Sequence, residues 1–366
     1  MLTDAADGTV LAARDAHTSY AIASTTKLMT AYVARRELKL SDMVTAPLYT
    51  PSSPVESLLG LEEGERISVR DLLYGLLLAS GNDAAVTLAD AAAGSTRHFV
   101  SQMNAAAHRL GLSDTSYANP IGLDDPNNFS SAVDLVDLAA RLRRDPFLAQ
   151  VFDTPEKVLR TGATTRDVIN RNNLVRTVPY VNGVKTGYTL DAGNVLVASA
   201  TRNGVTLISA VLAEPSEASR DSDSLALLNW GFEQYHEETP VSEGEALARV
   251  PVRYQDDALA LDAVRDVRLT VRRGQRLNVR THKPDEVEGP VAKGKRLGSV
   301  KVLVDGERVG GSPLVAATAV PAADLGDRLD SAIPGPRLVV WVAVIAVIAL
   351  ALIVATRLLT HRAAAR

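Results

Sequence analysis

Cysteine does not occur in the chain. That removes disulfides, thiolate catalysis and Cys-ligated zinc, and it leaves the compartment open because exported proteins can also lack cysteine. An excess of one charge sign is missing too. The 39 Lys and Arg stand against 43 Asp and Glu, a formal net charge of -4 spread along the chain, so no electrostatic footprint for nucleic acid exists and no such partner is expected. Histidine is scarce: His17, His98, His108, His236, His282 and His361 fall without HExxH or other ligand spacing, and no metal site or cofactor is expected from them. The opening "MLTDAADGTVLAARD" has neither the basic n-region nor the apolar h-region of a signal peptide, and no internal repeat is evident.

What is present is enough apolar material for a core: 46% hydrophobic over 366 residues, room for two or three folded units. Near the C-terminus, Leu338 to Thr356, "LVVWVAVIAVIALALIVAT", runs 19 residues without a charge. As a helix it would span about 28 Å, close to a bilayer core. The segment reads as a single transmembrane helix with the lipid bilayer as partner. Arg357, Arg362 and Arg366 after it outnumber Arg328 and Arg337 before it, which places the tail in the cytoplasm and the folded part outside. That topology needs export. The expectation is therefore that a signal segment lies upstream of Met1; the alternative is a tail-anchored cytoplasmic domain.

Strand-like runs, "DGTVLAARD" at the start and "NGVKTGYT", "NVLVASAT" and "VTLISAVL" later, flank a region from Ala23 to about Ile169 that is mostly helical by periodicity. "RNG", Arg202 to Gly204, marks a hairpin between the last two. Strands at both ends of a helical insert predict an α/β domain, an α+β sandwich with one antiparallel sheet and helices on its faces. From about Thr239 to Val320 apolar and polar residues alternate between Gly and Pro, which predicts a small all-β domain. The boundaries follow as 1–238 for the first domain, 239–322 for the β domain, 323–337 for a linker, 338–357 for the membrane helix and 358–366 for a cytoplasmic tail.

Three short motifs carry chemistry. In "AIASTTKLMTAYV", Ser24 and Lys27 stand three apart at a helix start, where Leu28, Ala31 and Tyr32 recur at helical spacing, so hydroxyl and amine share a face. A serine is a weak nucleophile until a base takes its proton, and a lysine serves when burial or a neighbouring cation lowers its pKa. The bland alternative is that Ser24 caps the helix and Lys27 is solvated. In "LLLASGNDAAV", Ser80-Gly81-Asn82 falls at a break between two apolar helices, or is a plain turn with Asp83 as cap. In "VNGVKTGYTLDAG", Lys185-Thr186-Gly187 lies on a strand, with Lys185 and Gly187 on one face and Thr186 on the other unless the strand bends. S-x-x-K, S-x-N and K-T-G each occur once, in that order, in a chain with eight lysines against thirty-one arginines. A guanidinium could not replace a deprotonatable amine at the first of these sites.

This set resembles the serine penicilloyl-enzyme superfamily. The surrounding sequence is similar to that of its D-alanyl-D-alanine carboxypeptidases, the low-molecular-mass penicillin-binding proteins. The likeness runs from about Leu2 to Phe232 through "STTKLMTA", "SGNDAA", "GLDDPNNFSSA", "VKTGYTLDAG" and "LLNWGF". It implies a β-lactamase/transpeptidase-like fold, usually followed by a small β domain and a membrane anchor. It also implies an enzyme that removes the terminal D-alanine from a peptidoglycan stem peptide through an acyl-enzyme and is acylated by β-lactams. By the same resemblance Ser24 is the nucleophile and Lys27 its base, and Ser80 returns a proton to the leaving D-alanine while Asn82 holds the substrate amide. Lys185 supplies positive potential, Thr186 and Arg220 serve the terminal carboxylate, Gly187 allows close approach, and the amides of Ser24 and Tyr188 form the oxyanion hole.

Two positions depart from relatives that carry histidine, Ile121 and Tyr188, and the first strand is expected to be cut short at Met1. The rival readings are a class A-like β-lactamase and a catalytically idle wall-binding or scaffolding protein. The first needs Glu-x-x-x-Asn between S-x-N and K-T-G; only Asp124 and Asn128 offer that spacing.

Overall fold

Alternation of side chains builds the first layer. In the strand Gly193–Arg202, Leu196, Ala198 and Ala200 belong to one buried apolar cluster, and Val197 between them belongs to another on the opposite face. Val205–Glu214 repeats the pattern, with Leu207 on the first side and Ile208 and Ala210 on the second. A sheet with two apolar faces needs cover on both. The computed structural model of the chain, which describes residues 1–332 and 337–363, supplies it.

The sheet has five antiparallel strands in the order Val10–Ala12, Leu2–Asp4, Val205–Glu214, Gly193–Arg202, Val181–Thr189. The N-terminal strand thus pairs with a late one, Leu2 opposite Ser209, and the hairpin expected at Arg202 to Gly204 turns on Asn203 and Gly204, both at positive φ (50° and 78°). The helix Glu217–Phe232 packs on one face through Leu228 and Phe232. The other face carries the helical insert.

At the centre of that insert stands the helix Lys27–Glu37, surrounded by Asn82–Ala93, Thr96–Leu110 and Ala132–Arg143. Leu28, Met29, Thr30 and Ala31 are all fully buried, so the first turn of this helix is enclosed on every side, and exposure begins only towards Arg36 and Glu37. Ser95, Ser131 and Ser216 cap their helices by accepting a backbone N–H, whereas no side chain caps Lys27–Glu37 or the 3-10 turn Ala23–Thr26 that leads into it. Ser24 is not a cap.

The chain divides into two compact units, Met1–Tyr235 and His236–Arg366. The second contains a five-stranded antiparallel sheet in the order Ala246–Pro251, Ala258–Ala263, Glu307–Ala316, Arg296–Val304, Leu277–His282. Its core is built from alternate residues such as Val300 and Val302 together with Leu261 and Leu314. Within the stretch read as a linker, Leu325–Ala332 is helical, its start fixed by Asp324, whose carboxylate accepts from Asp327 N at 2.8 Å. Linker residues 333–336 and tail residues 364–366 lie outside the described residues. Among the described residues no helix is long and apolar enough to cross a membrane. The segment Leu338 to Thr356 falls in the helix Arg337–Ala363, of whose side chains only those of 341–356 are described, so part of that expectation also lies outside the described residues.

Candidate active site

Three chain segments far apart in sequence meet above the start of the central helix. The 3-10 turn Ala23–Thr26 contributes Ser24, the break between helices contributes Ser80 and Asn82, and the edge strand Val181–Thr189 contributes Lys185 to Tyr188. A cleft of about 460 Å3 opens between them, lined by Ser24, Ser80, Thr186, Gly187, Tyr188 and Arg220 among others. Lys27, Asn82 and Lys185 lie buried behind this lining.

Lys27 is the pivot. Its side chain is fully buried, and Nζ donates to Ser24 Oγ at 2.9 Å, to Asn82 Oδ1 at 2.7 Å and to the Ile121 carbonyl at 2.6 Å. Burial, and secondarily the Arg171 guanidinium, bring its pKa down to about 7 against the opposing pull of Glu56 and Asp83. At neutral pH a large fraction of this amine is therefore unprotonated and able to accept a proton from the hydroxyl it touches. Position 121 contributes through its backbone carbonyl, which any side chain could offer, so histidine is not needed there for this contact.

Two residues at the site hold a left-handed backbone without being glycine: Ala23 at φ 46° and Ser80 at φ 64°. Each such residue costs about 1 kcal/mol or more, and such strain collects at functional sites. The first ends the strand Tyr20–Ala21 in a turn that presents Ser24 to the cleft; the second follows a π-type turn, Gly75–Ala79, and aims Ser80 inward. Among the described residues the buried Ser80 Oγ finds no hydrogen-bond partner.

Glycine matters at two places. A Cβ on Gly187 would lie 2.9 Å from Ser24 N and 2.9 Å from Ala23 Cβ, so the edge strand sits directly against the nucleophile's turn. On Gly122, at φ 87°, a Cβ would lie 2.0 Å from Ala23 O. The sequence singles out Gly187 by its place in K-T-G, whereas Gly122, which opens "GLDDPNNFSSA", receives no role of its own there because its importance comes from contact at long sequence separation.

On the strand, Thr186 and Tyr188 line the cleft, Tyr188 being exposed, and Lys185 Nζ donates to the Thr186 carbonyl at 2.9 Å. Burial, followed by the positive charges of Lys27, Arg171 and Arg220, holds the Lys185 pKa well below the usual lysine range. Arg220 is 2% exposed, and its Nε and Nη2 donate to Asp221 Oδ1 at 2.9 and 2.8 Å. Arg171, also missed, lines this cleft and a larger neighbouring one of about 730 Å3, which shares Glu217 as well, and its Nε donates to Ala79 O at 2.9 Å. Asp83 is not the cap of its helix, whose N-cap position is Gly81: its carboxylate accepts from the backbone N–H groups of Leu59, Gly60, Leu61 and Ala84 and ties the 59–61 loop to the helix start. Asp124 is exposed and outside the cleft lining, and Asn128 is buried with Nδ2 donating to Thr26 Oγ1 at 3.2 Å. That pair does not form a deacylating site.

A family model described as D-alanyl-D-alanine carboxypeptidase matches residues 1–216, and one described as penicillin-binding protein 5, C-terminal domain, matches residues 235–322. The chain is 31% identical over 319 residues to the D-alanyl-D-alanine carboxypeptidase DacF of Bacillus subtilis, covering 84% of this chain and 82% of that protein. To DacA of Escherichia coli it is 34% identical over 337 residues, covering 88% and 83%. Among solved structures, penicillin binding protein 5 from Haemophilus influenzae superposes with a TM-score of 0.62 at 32% identity, covering 87% of this chain and 96% of that one. The Streptomyces K15 DD-transpeptidase superposes with a TM-score of 0.60 at 34% identity, covering 63% and 95%.

Proposed function

We propose a reaction course from one premise: the chain belongs to the D-alanyl-D-alanine carboxypeptidase family. It is a serine hydrolase of peptidoglycan metabolism, with a transpeptidase-like α/β domain followed by a β-rich domain. Its substrate is the stem pentapeptide, from which it takes the terminal D-alanine. Ser24 Oγ attacks the carbonyl of the D-Ala-D-Ala bond as neutral Lys27 accepts its proton. The oxyanion is held by the N–H groups of Ser24 and Tyr188, donors worth about 3 kcal/mol each. Lys185, Thr186 and Arg220 hold the terminal carboxylate, Asn82 holds the peptide amide, and Ser80 passes a proton to the departing D-alanine. Water then attacks the acyl-enzyme. A β-lactam enters as the same acyl donor but keeps its leaving group tethered.

The observation that carries this reading is the buried Lys27 amine, 2.9 Å from Ser24 Oγ and brought down to about 7. A fluorescent penicillin is expected to label the chain covalently and Ser24→Ala to abolish labelling; a label that persists in the variant sinks the nucleophile assignment. Release of D-alanine from a pentapeptide separates a carboxypeptidase from an idle scaffold, and turnover of penicillin without lasting label marks a β-lactamase.

The domain assignment taken with this reading is 1–238 catalytic, 239–322 β domain, and 323–337 leading to a membrane anchor at 338–357 with a cytoplasmic tail at 358–366. The uncharged run Leu338 to Thr356 and the exposed large apolar side chains from Trp341 to Val354 support the anchor, and the arginine bias across it supports an extracytoplasmic catalytic domain. Retention of the full chain in membranes through an alkaline wash, lost on truncation before Arg337, is the expected result; release of the full chain would refute the anchor.

A further inference from the structure

One carboxylate at the site has no part in the course just described. Glu56 lies on the Ser- and Pro-rich stretch between the strands Met43–Thr45 and Arg66–Ser68, a segment without periodicity or motif. Its Oε1 accepts from Ser52 N at 2.7 Å, Ser52 Oγ at 2.6 Å and Ser53 N at 3.3 Å, and its Oε2 accepts from the Tyr49 hydroxyl and from Asn82 Nδ2 at 2.7 Å. Burial pushes this carboxyl up, but hydrogen bonds from Ser52, Tyr49 and Asn82 outweigh burial and hold it at about 2. It is an anion at every pH at which the enzyme could work.

Asn82 therefore stands between two groups of opposite demand. Glu56 can only accept, so the amide must turn Nδ2 towards it; Oδ1 then faces Lys27, whose ammonium can only donate. The chain Glu56, Asn82, Lys27, Ser24 is continuous, with contacts of 2.7, 2.7 and 2.9 Å.

We propose that Glu56 is a positioning residue for the acylation step: it locks the Asn82 amide with its oxygen on Lys27, and so ties the conformation of the loop 49–57 to the geometry and charge of the catalytic base. The loop also carries Ser57, whose carbonyl accepts from Asn82 N at 2.8 Å, so backbone and side chain of Asn82 are both held from this side. Besides Glu56, the charged groups bearing on Lys27 are Asp83, Arg171 and Lys185. Glu56 is the one that reaches the base through a hydrogen-bonded amide.

The inference rests on Ser24 being acylated with Lys27 as base, and its test is arranged to fail separately. Acylation of the full chain by benzylpenicillin is followed from pH 5 to 9 in wild type, Glu56→Gln and Glu56→Asp. Lys27 must be neutral to act, so the rate rises with pH through its pKa, and an anion nearby moves that limb to higher pH. Removing the charge in Glu56→Gln is expected to move the limb down by about one pH unit. The plateau is expected to fall several-fold because the amide is no longer locked. Glu56→Asp keeps the charge and is expected to keep the limb near its wild-type position, which a role confined to folding would not explain. A limb in Glu56→Gln that superimposes on wild type, or an undiminished plateau, overturns the proposal. The same shift is read without acylation by NMR titration of Lys27 in 13Cε-lysine-labelled full chain, its signal assigned with Lys27→Arg. If wild type fails to take the penicillin while the titration moves on Glu56→Gln, the acyl-enzyme reading falls and the coupling stands. If neither variant moves the titration, the coupling falls.

Discussion

Gly122 offers a direct test of how tightly the nucleophile's turn is held. Replacing it with alanine places a Cβ 2.0 Å from the Ala23 carbonyl oxygen, 2.4 Å from Ala23 C and 3.0 Å from Ser24 N. Non-bonded heavy atoms settle near 3.5 Å, so the turn or the Gly122 loop must yield by more than about 1 Å. A displacement of that size at a reacting group costs about a hundredfold in rate. The alanine must also hold φ near 87°, worth about 1–2 kcal/mol of strain by itself. Gly111→Ala separates the two effects: Gly111 has φ 77° at the end of the helix Thr96–Leu110, and a Cβ there would meet nothing within 4 Å. Both variants are compared by rate of labelling with a fluorescent penicillin and by thermal unfolding. Both are expected to melt lower, and only Gly122→Ala to lose about a hundredfold in labelling. Labelling of Gly122→Ala within threefold of wild type, with the melting loss of Gly111→Ala alone, would show that the turn around Ser24 is not held by this contact.

Two further expectations come from the charged groups. Wild-type acylation is expected to rise with pH and level off above about 7, because Lys27 acts as the free base and its pKa is brought down to about 7 by burial; a rate flat from pH 5 to 9 would mean another base. Glu65 and Arg166 form a buried two-bond pair, both contacts 2.7 Å, and Glu65→Gln leaves a guanidinium uncompensated, so a loss of about 3–5 kcal/mol in unfolding free energy is expected. Hydrogen bonds and charge from Arg166 hold the Glu65 carboxyl below its usual value despite burial, so this stabilisation is present above the ordinary glutamate pKa and is lost as pH falls through the lowered one; equal acid sensitivity of wild type and variant would contradict the pairing.

The sheet and its helical insert were legible because their signals are local. Alternation in "NVLVASAT" and "VTLISAVL", the turn at Asn203-Gly204 and the break at Ser80-Gly81 each depend on a few adjacent residues. That Lys185 to Tyr188 lie on a strand was legible from local signals too, whereas the strand's place at the sheet edge comes from the strand order. The helix Lys27–Glu37 gave a partial signal, since an apolar stripe says nothing of whether Thr30 on the other side is also enclosed. Glu56, Arg171, Gly122 and the Ile121 carbonyl were not legible. Each acts through a partner at least 26 residues away, as Glu56 does on Asn82, or through the backbone, where the side chain carries no signal. The reading of Ser24 as a cap lost to geometry: its oxygen is engaged by Lys27, and the helix start goes without a side-chain cap.

The site's charge arrangement says what kind of ligand completes it. Lys27, Arg171 and Arg220 each lower the pKa of Lys185, and Arg171 lowers that of Lys27 as well. The nearby carboxylates are already engaged: Glu56 with the loop and Asn82, Asp83 with four backbone N–H groups, Asp221 with Arg220. Among the described residues Lys185 pairs with no carboxylate; its amine donates to a backbone carbonyl. Burial and the surrounding cations disfavour the charged form of Lys185, which lacks a compensating anion among the described residues. A ligand carboxylate entering between Thr186 and Arg220 would supply one, raise the Lys185 pKa and draw a proton onto it, so binding and protonation are linked. A ligand with an anionic end would therefore complement this cationic wall, its binding favouring the charged form of Lys185.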